Sequence, residues 1–124
     1  MSIFWARPVG DDWLEVRTEL ERALDMSRSA AQEERSFVYV VHHDDLLGRR
    51  GVGSAMVAAG LLSAARTAAI EGSRKGWTAN VLAYDDNADE ETVRGWAEHL
   101  VESPSGVTGE LIRVGKDHLG KALP

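Results

Sequence analysis

Phe37-Val38-Tyr39-Val40-Val41 runs for five residues of β-branched and aromatic character with no polar alternation. Such residues suit a pleated strand, and the missing alternation means that both faces of the strand must be covered. A strand of this kind is the middle layer of a layered α/β fold. A second run, Thr78 to Ala83, reads the same way. The stretch between them, roughly Val52 to Gly72, is long, rich in Ala and Gly, and nearly apolar all round, so it predicts a helix buried on more than one side.

The remaining segments fit the same scheme. Ile3-Phe4-Trp5-Ala6, ended by Pro8 and Gly10, predicts a short strand. Asp11 is placed to cap a helix running to about Ala31, with Trp13, Val16, Leu20, Ala23 and Leu24 on its core face. Asn87 with Glu90 forms a capping-box pattern before a third helix, whose apolar face is Val93, Trp96, Ala97, Leu100 and Val101. Ser103-Pro104-Ser105-Gly106 closes that helix, and Glu110 to Val114 predicts the last strand. The expected fold is a single domain over residues 1–124. It is a Rossmann-like three-layer α/β sandwich, with a short, mostly parallel sheet of about four strands, helices on both faces and right-handed crossovers.

Composition narrows the function classes. Of 124 residues, 44% are hydrophobic and 27% charged, a globular profile, and the formal net charge of −6 argues against a nucleic-acid binder. There is no cysteine, which excludes disulfides and thiolate metal sites and predicts a reducing, cytoplasmic setting. The opening residues lack a signal-peptide core. The Gly51–Ile70 stretch, broken by Arg66, reads as a buried helix rather than a membrane span.

An alanine-rich face from Ala58-Ala59 to Ala69 carries Arg66 and is followed by Glu71, Gly76 and Asn80, and Thr108-Gly109 precedes the last strand. Upstream, Asp12-Trp13 and Val16 open the first helix. From about Ile3 to Gly115, this order and these spacings resemble the C-terminal half of a short-chain dehydrogenase/reductase. The resemblance implies a helix with the pattern Tyr-x-x-x-Lys leading into that Arg and Glu, then a Gly and a strand carrying an Asn. Counting back from Glu71, however, Ser54 stands at the tyrosine position and Ala58 at the lysine position. The family's serine corresponds to His42 or His43, and its helix asparagine to Leu20. The Pro-Gly expected after the Asn strand is replaced by Tyr84-Asp85.

These departures bear directly on chemistry. In the family's Tyr–Lys pair, the ammonium lowers the phenol's pKa so that it can exchange a proton with substrate; a serine without that lysine cannot do so near neutral pH. A dinucleotide site also needs a Gly-rich turn directly after its first strand. Gly48, Gly51 and Gly53 lie too far beyond the strand for that. Arg49 and Arg50 before a helix suggest an anion site, although a solvated loop turned by its glycines is preferred. No cofactor and no metal are assigned, and hydride transfer by this chain alone is not expected.

Two candidate sites remain. His42-His43-Asp44-Asp45 and Asp85-Asp86 end the two buried strands, where ligands bind in open parallel sheets. If those strands are neighbours, His42 or His43 faces Asp85 or Asp86, a pairing suited to general-base work or a divalent metal. His42, His43, Asp85 and Arg49 are the ligand-binding candidates. Strand alternation argues that His42 to Asp45 cannot all converge, and ordinary turn chemistry is the plainer reading. His99 is expected to be a half-exposed structural histidine, and His118 lies in the tail. Trp13 and Trp96 fit core positions, while Trp5 and Trp77 are offered as surface candidates, with core packing preferred for each.

The second candidate is an interface. Met56, Gly60, Leu61, Ala64 and Ala68 lie on the long helix, whose counterpart in the resembled family forms, with the preceding helix, the main subunit contact. The leading expectation is therefore a non-catalytic, dehydrogenase-like subunit. It would form a homodimer or tetramer, or pair with a full-length short-chain dehydrogenase, with no nucleic acid or membrane involved. The alternatives are a ligand binder or enzyme of another class using the His/Asp crevice, and an oxidoreductase active only with a full-length partner.

Overall fold

A computed structural model describes residues 1–102 and 106–116. The chain runs β1 (Ile3–Trp5), α1 (Trp13–Gln32), β2 (Phe37–His42), α2 (His43–Leu46), α3 (Val52–Lys75), β3 (Ala79–Tyr84), α4 (Glu90–Glu102) and β4 (Leu111–Val114). The four strands form one parallel sheet in the order β1-β2-β3-β4, with Tyr39 set between Phe4 and Val81. The α/β architecture, the parallel sheet of four strands and the helices on both faces are as the sequence predicts. The expected Ser103-Pro104-Ser105 closure and His118 lie outside the described residues.

Alternation along the strands divides the core in two. Phe4, Phe37, Tyr39, Val41, Val81 and Ala83 face α1 and α3, while Val38, Val40 and Leu82 face Val93, Ala97 and Leu100 of α4. This arrangement overturns the expectation of uniformly right-handed crossovers. The strand order advances steadily across the sheet while α4 crosses the face opposite α1 and α3, so the three connections cannot share one hand.

The helix ends correct several expectations. Asp12, not Asp11, caps α1, with its carboxylate accepting the Leu14 N–H at 3.0 Å. Asp11 instead accepts the Gly53 N–H at 2.9 Å, at the start of α3. Asp89, not Asn87, caps α4, accepting the Thr92 N–H at 2.7 Å. Gly76 ends α3 with φ of 89°, the left-handed conformation that glycine adopts without steric cost.

Core periodicity on α1 is Val16, Glu19, Ala23, Met26 and Ala30, leaving Trp13 and Leu24 exposed, contrary to expectation. The signal was masked because a glutamate occupies a core position. Glu19 is buried among donors: the Arg7 N–H at 2.6 Å and the Arg22 guanidinium at 2.9 and 3.0 Å. Arg22 in turn donates to the Trp5 carbonyl at 2.8 Å and lies over the Phe4 ring. Arg35 donates to the Met1 carbonyl at 2.5 Å. By the strand's alternation these backbone groups point away from β2, so two arginines and a glutamate occupy the open edge of the sheet.

Candidate functional site at the strand ends

At the end of β2 the chain turns into α2, a single helical turn with His42 as its cap. The His42 Nδ1 accepts the Asp44 N–H at 3.1 Å. This turn breaks the strand alternation at His43, so the two histidines do not diverge as expected: their rings stack at 5.3 Å with a 33° tilt, and both are buried. Parallel pairing sets His42 beside Tyr84, whose ring meets the imidazole edge-on at 5.1 Å. The chain beyond β3 then delivers the Asp86 carboxylate to the His42 Nε2 at 2.8 Å.

Asp44 links the pair. Its Oδ1 lies 3.2 Å from the His43 Nε2 and its Oδ2 lies 3.9 Å from the His42 Nδ1. Asp45 is half of a bidentate pair with Arg50, at 2.8 and 2.9 Å, which strengthens the guanidinium's hold on its proton. Burial raises the Tyr84 phenol above its usual range, with Arg50 acting in the opposite direction. Asp85 is buried and its Oδ1 accepts the Asn87 and Ala88 N–H groups, closing the turn before α4, so the carboxylate on His42 is that of Asp86. The sequence brought His42, His43 and an aspartate following β3 together; it did not reveal the central place of Asp44, because the one-turn helix α2 has no periodic signal.

The other candidates are placed as follows. Ser54 is buried against Val9, accepting its N–H at 3.3 Å and donating to its carbonyl at 3.2 Å. Ala58 is 2% exposed in the core, and the Leu20 side chain packs near Gly60, where a Cβ would lie 3.5 Å from it. At the suggested anion site, Arg49 pairs with Asp44 and Arg50 with Asp45, while the Asp11 carboxylate occupies the N-terminus of α3. Trp77 is 2% exposed and Trp5 half-buried, so Trp77 is core, as preferred; Trp96 is half-exposed rather than core. Among the interface candidates, Met56, Gly60 and Ala64 are exposed, Ala68 is half-buried, and Leu61 is a core residue at 2%. Leu61 therefore lies in the core and not on a free surface.

No protein-family model matches the sequence, nor does any curated protein. Solved structures do. A short chain dehydrogenase from Mycobacterium smegmatis superposes with a TM-score of 0.68 at 19% identity over 95% of this chain and 60% of its own. For the 3-hydroxyacyl-CoA dehydrogenase type-2 from Mycobacterium avium the values are 0.70, 14%, 92% and 66%. For YwfH, an NADPH dependent reductase involved in bacilysin biosynthesis, they are 0.66, 17%, 93% and 65%.

The fold is that of the short-chain dehydrogenases. The chain spans 60 to 66% of the length of these structures. Several spacings behind the resemblance have structural roles. The buried Asn80 donates to the Val107 carbonyl at 2.9 Å and accepts the Glu110 N–H at 3.1 Å, fixing the approach to β4. Thr108 accepts the Ala79 N–H, and Gly109, at φ of 70°, donates to the Ala79 carbonyl.

The start of α3 does not offer a cradle for a dinucleotide phosphate. A Cβ on Gly53 would lie 2.1 Å from the Gly10 carbonyl oxygen, so the glycine at the start of α3 serves contact with the chain's own backbone rather than with a phosphate. The donor left at that terminus is taken by Asp11, a carboxylate where a phosphate would sit.

Proposed function

We propose that this chain is a non-catalytic, dehydrogenase-like subunit that works by oligomerisation through the outer face of α1 and α3, with a second copy of the same helix pair as its partner. The observation that carries this reading is the distribution of exposed apolar side chains. Trp13, Leu14 and Leu24 on α1, with Val52, Met56 and Ile70 on α3, are each between 47 and 66% exposed. Among the described residues the other large exposed hydrophobics are only Met1 and Trp96. An apolar face of this kind favours covering by a partner, and aromatic and Met side chains are enriched at the centres of such contacts.

Gly60 and Ala64 lie on the exposed side of α3, where small residues let another helix approach closely. A two-fold contact of helix pairs needs only one self-complementary patch, which favours a second copy over an unrelated chain. The open edge of β1 is a weaker docking point, because Arg22, Arg35 and Glu19 already engage its outward groups. The α3 helix is long and apolar enough to cross a membrane by length and composition, but Val57, Leu61, Leu62, Ala65 and Ala69 pack into the core of this fold, which favours its reading as a core helix with an exposed stripe.

The non-catalytic reading is supported by Ser54 and Ala58, buried residues that offer no Tyr–Lys pair at the positions where the resemblance sets one. A cytoplasmic location accords with the cysteine-free composition. The test is the double variant Met56→Glu with Ala64→Arg, both exposed positions. It is expected to give a folded monomer with an unchanged circular dichroism spectrum. An oligomer of undiminished mass would refute the assignment of this face.

A further inference from the structure

We propose that the turn from β2 into α2 is a binding site for a divalent transition-metal ion, with His42, His43 and Asp44 as ligands. Each offers one ligand atom, and these atoms lie within 4.8 Å of one another. The two contacts to the aspartate are 3.2 Å from His43 and 3.9 Å from His42. Ligands about 2.0–2.2 Å from a tetrahedral ion sit roughly 3.3 Å apart, so closing the set takes shifts of about an ångström and release of the Asp44 N–H from His42 Nδ1.

The surroundings fit a ligating imidazole. His42 presents Nδ1 toward the Asp44 carboxylate, and its Nε2 is held at 2.8 Å by Asp86. A carboxylate on the far nitrogen orients the ring and raises its basicity toward an ion on the near one. Binding displaces the Asp44 N–H from Nδ1, a 3.1 Å contact at the start of a one-turn helix. It also displaces Arg49, an exposed side chain 3.3 Å from Asp44. Asp44, Asp45 and Asp86 stand against Arg49 and Arg50, so these groups together carry a negative charge that a dication relieves.

Donor chemistry selects the ion. Two imidazoles and one carboxylate suit zinc or ferrous iron over magnesium or calcium, which take oxygen ligands, and three protein ligands leave a coordination position open. Asp44 is 22% exposed, which gives the ion a path of entry, while both imidazoles are nearly enclosed. The site lies at the strand ends and shares no residue with the helix face assigned to oligomerisation, so either assignment can fail without the other.

The test is titration of the metal-free full chain with Zn2+, followed by native mass spectrometry and competition with Mg2+. The expected result is one zinc per chain, unaffected by excess Mg2+. Binding should weaken about tenfold or more in His43→Asn and in the more accessible Asp44→Asn, and be unchanged in His99→Asn on α4. Circular dichroism identifies any variant that fails to fold, and Asp44→Asn, the least buried change, then decides. No bound zinc, zinc displaced by Mg2+, or zinc retained equally by Asp44→Asn would overturn the proposal.

Discussion

The Ser54 hydroxyl is engaged in both directions by one residue, accepting the Val9 N–H at 3.3 Å and donating to the Val9 carbonyl at 3.2 Å. The serine that the resemblance sets at a dehydrogenase's tyrosine position thus fastens the loop after β1 to the start of α3. Beside it, Gly53 meets the Gly10 carbonyl. Restoring the family pattern with Ser54→Tyr and Ala58→Lys is predicted to destabilise the fold rather than create hydride transfer. Both side chains are at most 6% exposed, and overpacking a filled site costs about 1–3 kcal/mol for each change, with a buried lysine adding more. Thermal melts and an NAD(P)H oxidation assay check both halves of the statement.

Two helix glycines should respond to alanine with opposite sign. At Gly72 a Cβ would lie 2.4 Å from the Trp77 carbonyl oxygen and 2.6 Å from its ring, so Gly72→Ala must displace the chain entering β3 and lowers stability. At Gly95, exposed on α4, a Cβ meets nothing within 4 Å, and Gly95→Ala is expected to stabilise by about 0.5–1 kcal/mol through helix propensity. Urea denaturation of the two single variants separates them.

The buried charge on α1 should prove costly to remove. Glu19→Ala strips the acceptor from the Arg7 N–H and from Arg22, which is itself 31% exposed. The expected loss is about 1.5–3 kcal/mol, the range for a hydrogen-bonded charged group that leaves a partner behind. Substituting the exposed pair Arg17 and Glu21 should change stability little.

The two tyrosines predict alkaline sensitivity. Burial raises both Tyr39 and Tyr84 above the ordinary value of 10.0, the Ser27 hydroxyl opposing this at Tyr39 and Arg50 at Tyr84. With the folded pKa above the unfolded one, stability is fully present below pH 10 and is lost as pH rises through the folded values. Melting temperatures taken across that range should fall more steeply for the wild type than for Tyr39→Phe.

The order of elements was legible because the strands are uninterrupted apolar runs and the helices carry clear 3.6-residue spacing. The faces of α1 were less so. Trp13 and Leu24 look like core residues by hydrophobicity, while the true core position is Glu19, made tolerable only by Arg22 and a backbone N–H from the loop after β1. The same kind of long-range partner explains why Asp11 serves α3 rather than its own helix. At the strand ends, the meeting of His42 with Asp86 followed from strand adjacency. The stacking of His43 on His42 depended on a single helical turn that no periodicity announces.

The central claim is that the chain functions as an assembled subunit, and the most direct test is the mass of the purified wild-type protein in solution by size-exclusion chromatography with light scattering. The account predicts two or four times the 13.5 kDa chain mass, maintained on dilution through the micromolar range. A particle of 13.5 kDa at every concentration would contradict it, and the exposed residues of α1 and α3 would then need another explanation.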